Sequence, residues 1–176
     1  MKIGIFGGTF DPVHNGHIDL LKNFIENLSL DQVFVVPAFI SPFKINTPPR
    51  ASPEHRAALL KLAFQEQAKV KILIDEIERK EVSYTIDTIR KLKEEYLTDS
   101  LYLLLSEEMK PLFSKWKNFE EIEKLVSVQF GNSSFKVSST VLREKLKKNE
   151  SCDGLIPLKV LDYIGMHRLY SLEYGK

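Results

Sequence analysis

Five short apolar runs punctuate this 176-residue sequence, and amphipathic or turn-rich stretches separate them. The runs are Lys2 to Phe6, Gln32 to Pro37, Val70 to Ile74, Leu101 to Leu105 and Leu125 to Phe130. Each is too short for a helix core and rich in Val, Ile, Leu or Phe, which predicts buried strands. Helical spacing lies between them. His17 to Leu28 sets Ile18, Leu21, Phe24, Ile25 and Leu28 on one face, and Ile86 to Tyr96 does the same with Ile86, Ile89, Leu92 and Tyr96. Pro53 stands where a first helical turn accepts proline, opening a helix to about Gln67. A short helical region carries Trp116 and Phe119, and helices over Ser139 to Lys148 and Pro157 to His167 close the chain. Ala38 to Ser52, dense in proline, reads as a loop. Strands alternating with helices at this interval predict a parallel α/β sheet of about five strands with helices on both faces, in a single domain over 1–176. Right-handed crossovers then place the ligand crevice at the carboxyl ends of the strands.

Composition narrows the partners. Lys and Arg number 25 against 24 Asp and Glu, a net charge of +1, so no global field draws the chain to nucleic acid or anionic lipid. Any anion site must be local. A single cysteine, Cys152, excludes an internal disulfide and a multi-cysteine zinc site. The opening apolar run is too short for a signal peptide, and nowhere do about 18 apolar residues run together. The expectation is a cytoplasmic protein with no membrane or nucleic-acid partner. Its oligomeric state is not legible.

The densest chemical signal is Gly7-Gly8-Thr9-Phe10-Asp11-Pro12-Val13-His14-Asn15-Gly16-His17, between the first strand and the first helix. Gly7 and Gly8 allow backbone N–H groups to approach a ligand where a Cβ would collide. The following helix aims unpaired N–H groups and a positive dipole end at the same place, which suits phosphate. His14 and His17, three apart, can turn their imidazoles to one side together, and such donors suit charge building on oxygen during nucleotidyl transfer. A plain reading also exists, a glycine turn with Asp11 as helix cap and two incidental histidines. No third ligand accompanies the histidines, so no metal site is expected there. Neither a Walker A pattern nor G-x-G-x-x-G is present. A second turn, Ser138-Ser139-Thr140, opens a late helix with Arg143 one turn in. Its hydroxyls and N–H groups make another anion nest, and Arg143 adds a planar fork for phosphate oxygens.

These residues resemble the nucleotidylyltransferase superfamily, marked by (H/T)-x-G-H after the first strand, here His14-Asn15-Gly16-His17. Its second mark, I-S-S-T-x-(I/V)-R, is matched by Val137-Ser138-Ser139-Thr140-Val141-Leu142-Arg143. Within the superfamily the chain looks most like the bacterial nicotinate-nucleotide adenylyltransferases. Ser83-Tyr84-Thr85-Ile86-Asp87-Thr88-Ile89, preceded by Glu76 and Arg79, matches their S-Y-T-(I/V)-D-T-L block. Glu54-His55-Arg56, Trp116 and the tail from Tyr163 to Tyr170 also fit, so the resemblance covers nearly the whole chain.

The resemblance implies a Rossmann-like fold and transfer of AMP from ATP to nicotinate mononucleotide, with Mg²⁺ arriving on ATP. It assigns His14 and His17 to the ATP phosphates, Ser138, Ser139, Thr140 and Arg143 to the β,γ-phosphates, and Lys44 to the mononucleotide phosphate. Thr85 and Trp116 would frame the nicotinate ring, Gly7, Gly8, Thr9 and Phe10 would line the ATP side, and Glu108 would face a ribose. The alternatives are a sister transferase of phosphopantetheine or glycerol-3-phosphate type, or a non-catalytic nucleotide-binding module.

Duller readings stand beside these. Thr85 can serve as a helix cap, Trp116 as a core aromatic, Glu54 to Arg56 as a helix-start charge cluster with His55 on the surface, and His167 as a helix-end charge. Three departures from the family stand out. Ser41-Pro42-Phe43-Lys44 replaces P-P-H-K, Ser106-Glu107-Glu108 replaces G-x-D, and the stretch from Trp116 to Ser138 is short.

Overall fold

The computed structural model describes residues 1–171; the expected domain over 1–176 includes five residues that lie outside the described ones. Five parallel strands form one sheet in the order β3-β2-β1-β4-β5, with β1 Lys2–Gly8, β2 Gln32–Pro37, β3 Val70–Ile72, β4 Ser100–Ser106 and β5 Ser127–Gly131. The order reverses direction between β1 and β4, and a crevice opens at such a switch point beyond the carboxyl ends of the strands.

Alternation within the strands divides the core in two. Phe6, Val33, Val35 and Leu104 point to one face, where α1 (Asn15–Leu28), α2 (Pro53–Phe64), α7 (Ser139–Lys147) and α8 (Leu158–Met166) contribute Leu21, Leu60, Leu142 and Val160. Ile3, Ile5, Phe34, Val36, Leu103 and Leu105 point to the other face, against Ile86, Ile89 and Leu92 of α4 (Thr85–Glu95) and Ile122 of α6 (Phe119–Leu125). Strands buried on both faces carry no polar alternation, which is why they read as continuous apolar runs.

Boundaries shift where local chemistry outweighs pattern. The third strand stops at Ile72, because α3 (Asp75–Arg79) begins three residues later; the sequence reading has no helix there. The second helix ends at Phe64 rather than Gln67, and the first begins at Asn15. The region around Trp116 resolves into α5 (Lys110–Phe113) and α6, so Leu125 ends a helix instead of opening β5. Within the expected loop, Pro42–Lys44 form one 3₁₀ turn capped by Ser41. Among the described residues no helix is long and apolar enough to cross a membrane.

Candidate active site

The first wall of the crevice is the segment joining β1 to α1. Phe10 adopts φ 50°, in the left-handed region, and this bend folds its ring back over Gly8. A Cβ on Gly8 would lie 2.8 Å from that ring, so the protein's own packing already disfavours a side chain there. Gly7, in contrast, has no neighbour closer to a built Cβ than the Val36 carbonyl at 4.0 Å, and it lines the open crevice.

His14 is the N-cap of α1, and its backbone N–H donates to Nδ1 of His17 at 3.3 Å. The two rings stack with centroids 3.7 Å apart, and the Phe10 ring meets His17 edge-on at 5.0 Å. Because Nδ1 of His17 accepts, its neutral ring carries the proton on Nε2, which is left as a donor. Burial pushes the His14 imidazole down to about 4. His17 falls well below the ordinary histidine range, through burial first and then the neighbouring His14 and Lys44. Both rings are therefore neutral donors near pH 7, and an arriving polyanion would raise their proton affinity.

The second wall is the start of α7. Ser138 caps it by accepting from the Val141 N–H at 3.4 Å. The Ser139 hydroxyl donates to the Pro12 carbonyl at 2.9 Å, across 127 residues of sequence. Arg143 donates to the Asp11 carbonyl at 2.7 Å and to the Thr140 hydroxyl at 3.2 Å. The two motifs are thus joined directly. A guanidinium has five N–H donors, so these two bonds leave Arg143 with donors to spare.

Asp11 is not a helix cap. Its buried carboxylate accepts from the backbone N–H groups of Arg50 (2.8 Å) and Ala51 (3.0 Å) and from the Tyr170 hydroxyl (2.8 Å). Arg56 is also no solvated helix-start charge. It is fully buried, and its guanidinium donates to the carbonyls of Thr9 (2.8 Å), Ala38 (2.6 Å) and Phe39 (3.0 Å), pinning the glycine segment to the end of β2. Its spacing to buried Leu59 and Leu60, three and four residues on, is the one sequence signal that points it to the same face, and the charge-cluster reading passes over it. His55 is half-buried, with Nδ1 3.0 Å from the Tyr163 hydroxyl and its ring 5.0 Å from that of His167.

The third side is more open. Lys44 Nζ donates to the Thr9 hydroxyl at 3.1 Å; partial enclosure lowers the proton affinity of its ammonium, and Arg143 adds to this. Thr85 begins α4 without capping it; Tyr84 holds that position and supplies no side-chain cap. Below it, buried Glu76 accepts from the Thr88 hydroxyl at 2.5 Å, and burial raises its carboxyl's proton affinity. Trp116 packs on Phe113 at 5.6 Å, half core and half crevice wall, and its buried indole N–H has no partner among the described residues. Glu108 and Phe43 sit exposed on the rim. Together these walls enclose an open cavity of about 1340 Å³. Small-ligand sites occupy roughly 300–1,000 Å³, so two ligands fit side by side. All the expected residues line it: Gly7, Gly8, Thr9, Phe10, His14, His17, Lys44, Thr85, Glu108, Trp116, Ser138, Ser139, Thr140 and Arg143.

Comparison with known proteins agrees with this arrangement. The Cytidylyltransferase-like family model matches residues 5–152. The nicotinate-nucleotide adenylyltransferase of Bacillus subtilis is 36% identical, over 96% of this chain and 98% of its own length. A probable nicotinate-nucleotide adenylyltransferase of Opitutus terrae is 32% identical over 97% and 98%. Among solved structures, a putative nicotinate-nucleotide adenylyltransferase from Vibrio parahaemolyticus superposes with a TM-score of 0.82 at 21% identity, covering 98% of this chain and 97% of its own. The Plasmodium falciparum nicotinic acid mononucleotide adenylyltransferase complexed with NaAD gives 0.76 at 20% identity, covering 96% and 97%. Those two likenesses speak to fold, and the curated relatives, aligned nearly end to end above 30% identity, speak to descent. The chain belongs to the nicotinate-nucleotide adenylyltransferase family of cytidylyltransferase-like nucleotidyltransferases.

Proposed function

We propose that this chain transfers the adenylyl group of ATP to the phosphate of nicotinate mononucleotide, giving nicotinate adenine dinucleotide and pyrophosphate. A mononucleotide phosphate oxygen attacks the α-phosphorus, and the bond from that phosphorus to the bridging oxygen breaks as pyrophosphate leaves. The attacking group is a phosphate monoester whose second pKa is about 6, so it is largely ionised at neutral pH and needs no general base. Catalysis is then positioning plus charge neutralisation.

The observation that carries this reading is the direct joining of the two motifs, Ser139 to Pro12 and Arg143 to Asp11, around one cavity. His17, with Nε2–H as its free donor, serves the α-phosphate as charge develops, and His14 supports it. Ser138, Ser139, Thr140 and Arg143 form the β,γ-phosphate end. Lys44, bonded to Thr9 beside the histidines, serves the mononucleotide phosphate, Thr85 and Trp116 frame the pyridine ring, and Glu108 serves a ribose hydroxyl. Gly7, Gly8, Thr9 and Phe10 shape the ATP side.

Mg²⁺ would accompany ATP and neutralise phosphate charge, without a dedicated protein cage, as suits this small hard ion. The donor set fits that role: the Asp11 carboxylate is engaged by three donors, and Glu76 is held by Thr88. Pyrophosphate release measured with nicotinate mononucleotide, nicotinamide mononucleotide and phosphopantetheine tests the acceptor class. Release with the first is expected; release with phosphopantetheine alone would move the chain to a sister reaction, and ATP binding without any release would make it a binding module.

A further inference from the structure

The segment that leads from β5 to the Ser138 cap walls the cavity with Asn132, Ser133, Phe135, Lys136 and Val137. Among the described residues no backbone–backbone hydrogen bond ties residues 132–137 to the rest of the fold. Their polar fastening comes from α1, where Asp19 and Asn23, four residues apart, share one side of the helix. One carboxylate oxygen of Asp19 accepts from the Ser134 N–H at 2.7 Å and from the hydroxyls of Ser133 at 2.9 Å and Ser134 at 3.0 Å. The Ser134 amide is the chief cause holding this carboxyl below the ordinary aspartate range. The Asn23 side chain donates to the Asn132 carbonyl at 3.3 Å, and the Ser133 hydroxyl accepts from the Phe135 N–H at 3.0 Å, one residue nearer Ser138. Packing flanks the clamp: a Cβ on Gly131 would lie 2.8 Å from the Phe24 ring, and one on Gly16 3.2 Å from the Val137 side chain. The helix that presents His14 and His17 at its start thus also fastens the approach to the second wall.

We propose that Asp19 is a positioning residue for ATP: by clamping Ser133 and Ser134 onto α1, it sets the segment that ends in Ser138, Ser139 and Thr140 in register with the histidines. The inference rests on the adenylyl-transfer reading, which gives those three residues to the β,γ-phosphates. Without the clamp the ligand itself must order the segment, and that entropy cost weakens binding. The histidines that serve the reacting phosphorus have their own supports, so turnover is spared. Charge alone works in the opposite direction. A carboxylate bonded to the cavity wall repels a polyanion, so a purely electrostatic Asp19 would tighten ATP binding when removed.

Steady-state kinetics of Asp19→Ala in the intact enzyme tests this. KM for ATP should rise about tenfold, as fits loss of a charge-assisted bond, with kcat and KM for nicotinate mononucleotide little changed. Asp19→Asn keeps an acceptor oxygen and should recover most of the affinity. The Ser133→Ala/Ser134→Ala double variant should raise KM less, since the Ser134 amide keeps its bond, and should add little on top of Asp19→Ala. A KM for ATP that is unchanged or lower in Asp19→Ala, a rise shared equally by the mononucleotide, or full additivity with the serine pair overturns the assignment and leaves adenylyl transfer intact. Should the parent release no pyrophosphate, the transfer reading falls, and the same tenfold shift in Kd for ATP, measured by calorimetry, still decides this one; a parent that binds no ATP overturns both.

Discussion

The inner wall and the outer rim of the cavity are built on different principles. The anchoring groups of the inner wall are held by other parts of the protein: Asp11 by the Arg50 and Ala51 amides and Tyr170, Thr9 and Ala38 carbonyls by Arg56, and Arg143 by Asp11. These braces come from α2, α7 and the chain's tail, and they fix the segment that carries His14 and His17. The rim carries apolar side chains left in water, Phe43 at 51% exposure, Val141 at 52% and Phe135 at 40%. Where charge must be stabilised within tenths of an ångström the fold is overdetermined; where substrates must enter and leave it is not.

The largest effect should come from the inner wall's chemistry. His17→Ala is expected to lower kcat by about 10²–10³-fold, as loss of a donor to developing charge does, with the thermal transition little changed. A kcat within threefold of the parent would remove His17 from the mechanism. Next comes the brace beneath it. Arg56→Met leaves the carbonyls of Thr9, Ala38 and Phe39 without their donor and should destabilise by about 3 kcal/mol, read from urea unfolding.

Acid should weaken the same wall. The His14 ring has a folded value of about 4 against an unfolded value near 6.5. The folded state thus binds fewer protons, and the stability this neutral ring contributes is full above pH 6.5 and is lost as pH falls toward 4. The loss amounts to about 3 kcal/mol over that window. His14→Gln should flatten it, and an unchanged slope between pH 6.5 and 4 would refute the assignment. Tyr170→Phe, which takes one of three donors from the buried Asp11 carboxylate, should cost about 1–2 kcal/mol and raise KM for ATP slightly. On the rim, Phe43→Ala should change stability by no more than about 0.5 kcal/mol. A cost like that of Tyr170→Phe would erase the contrast between the two regions.

The sequence exposed the sheet and the chemical motifs for one physical reason: both are local. A strand buried on two faces is an apolar run wherever it occurs, and a phosphate cradle is a glycine turn followed by a helix start. The braces were hidden because they are long-range. Asp11 reads as a cap until Tyr170 and the Ala51 amide arrive from 159 and 40 residues away. Arg56 reads as a surface charge until the ends of β1 and β2 supply carbonyls around it. Thr85 shows the converse: it stands at the helix start, yet Tyr84 rather than Thr85 holds the cap position. The short segment before Ser138 is likewise tied down by a contact that spacing cannot show, the Asp19 carboxylate accepting from Ser133 and Ser134.

A crystal structure of the enzyme with a non-hydrolysable ATP analogue tests the account at its centre. One triphosphate should lie with oxygens about 3 Å from both the Nε2 of His17 and the guanidinium of Arg143. A nucleotide that reaches only one of these groups, or that sits outside the cavity they share, would contradict it.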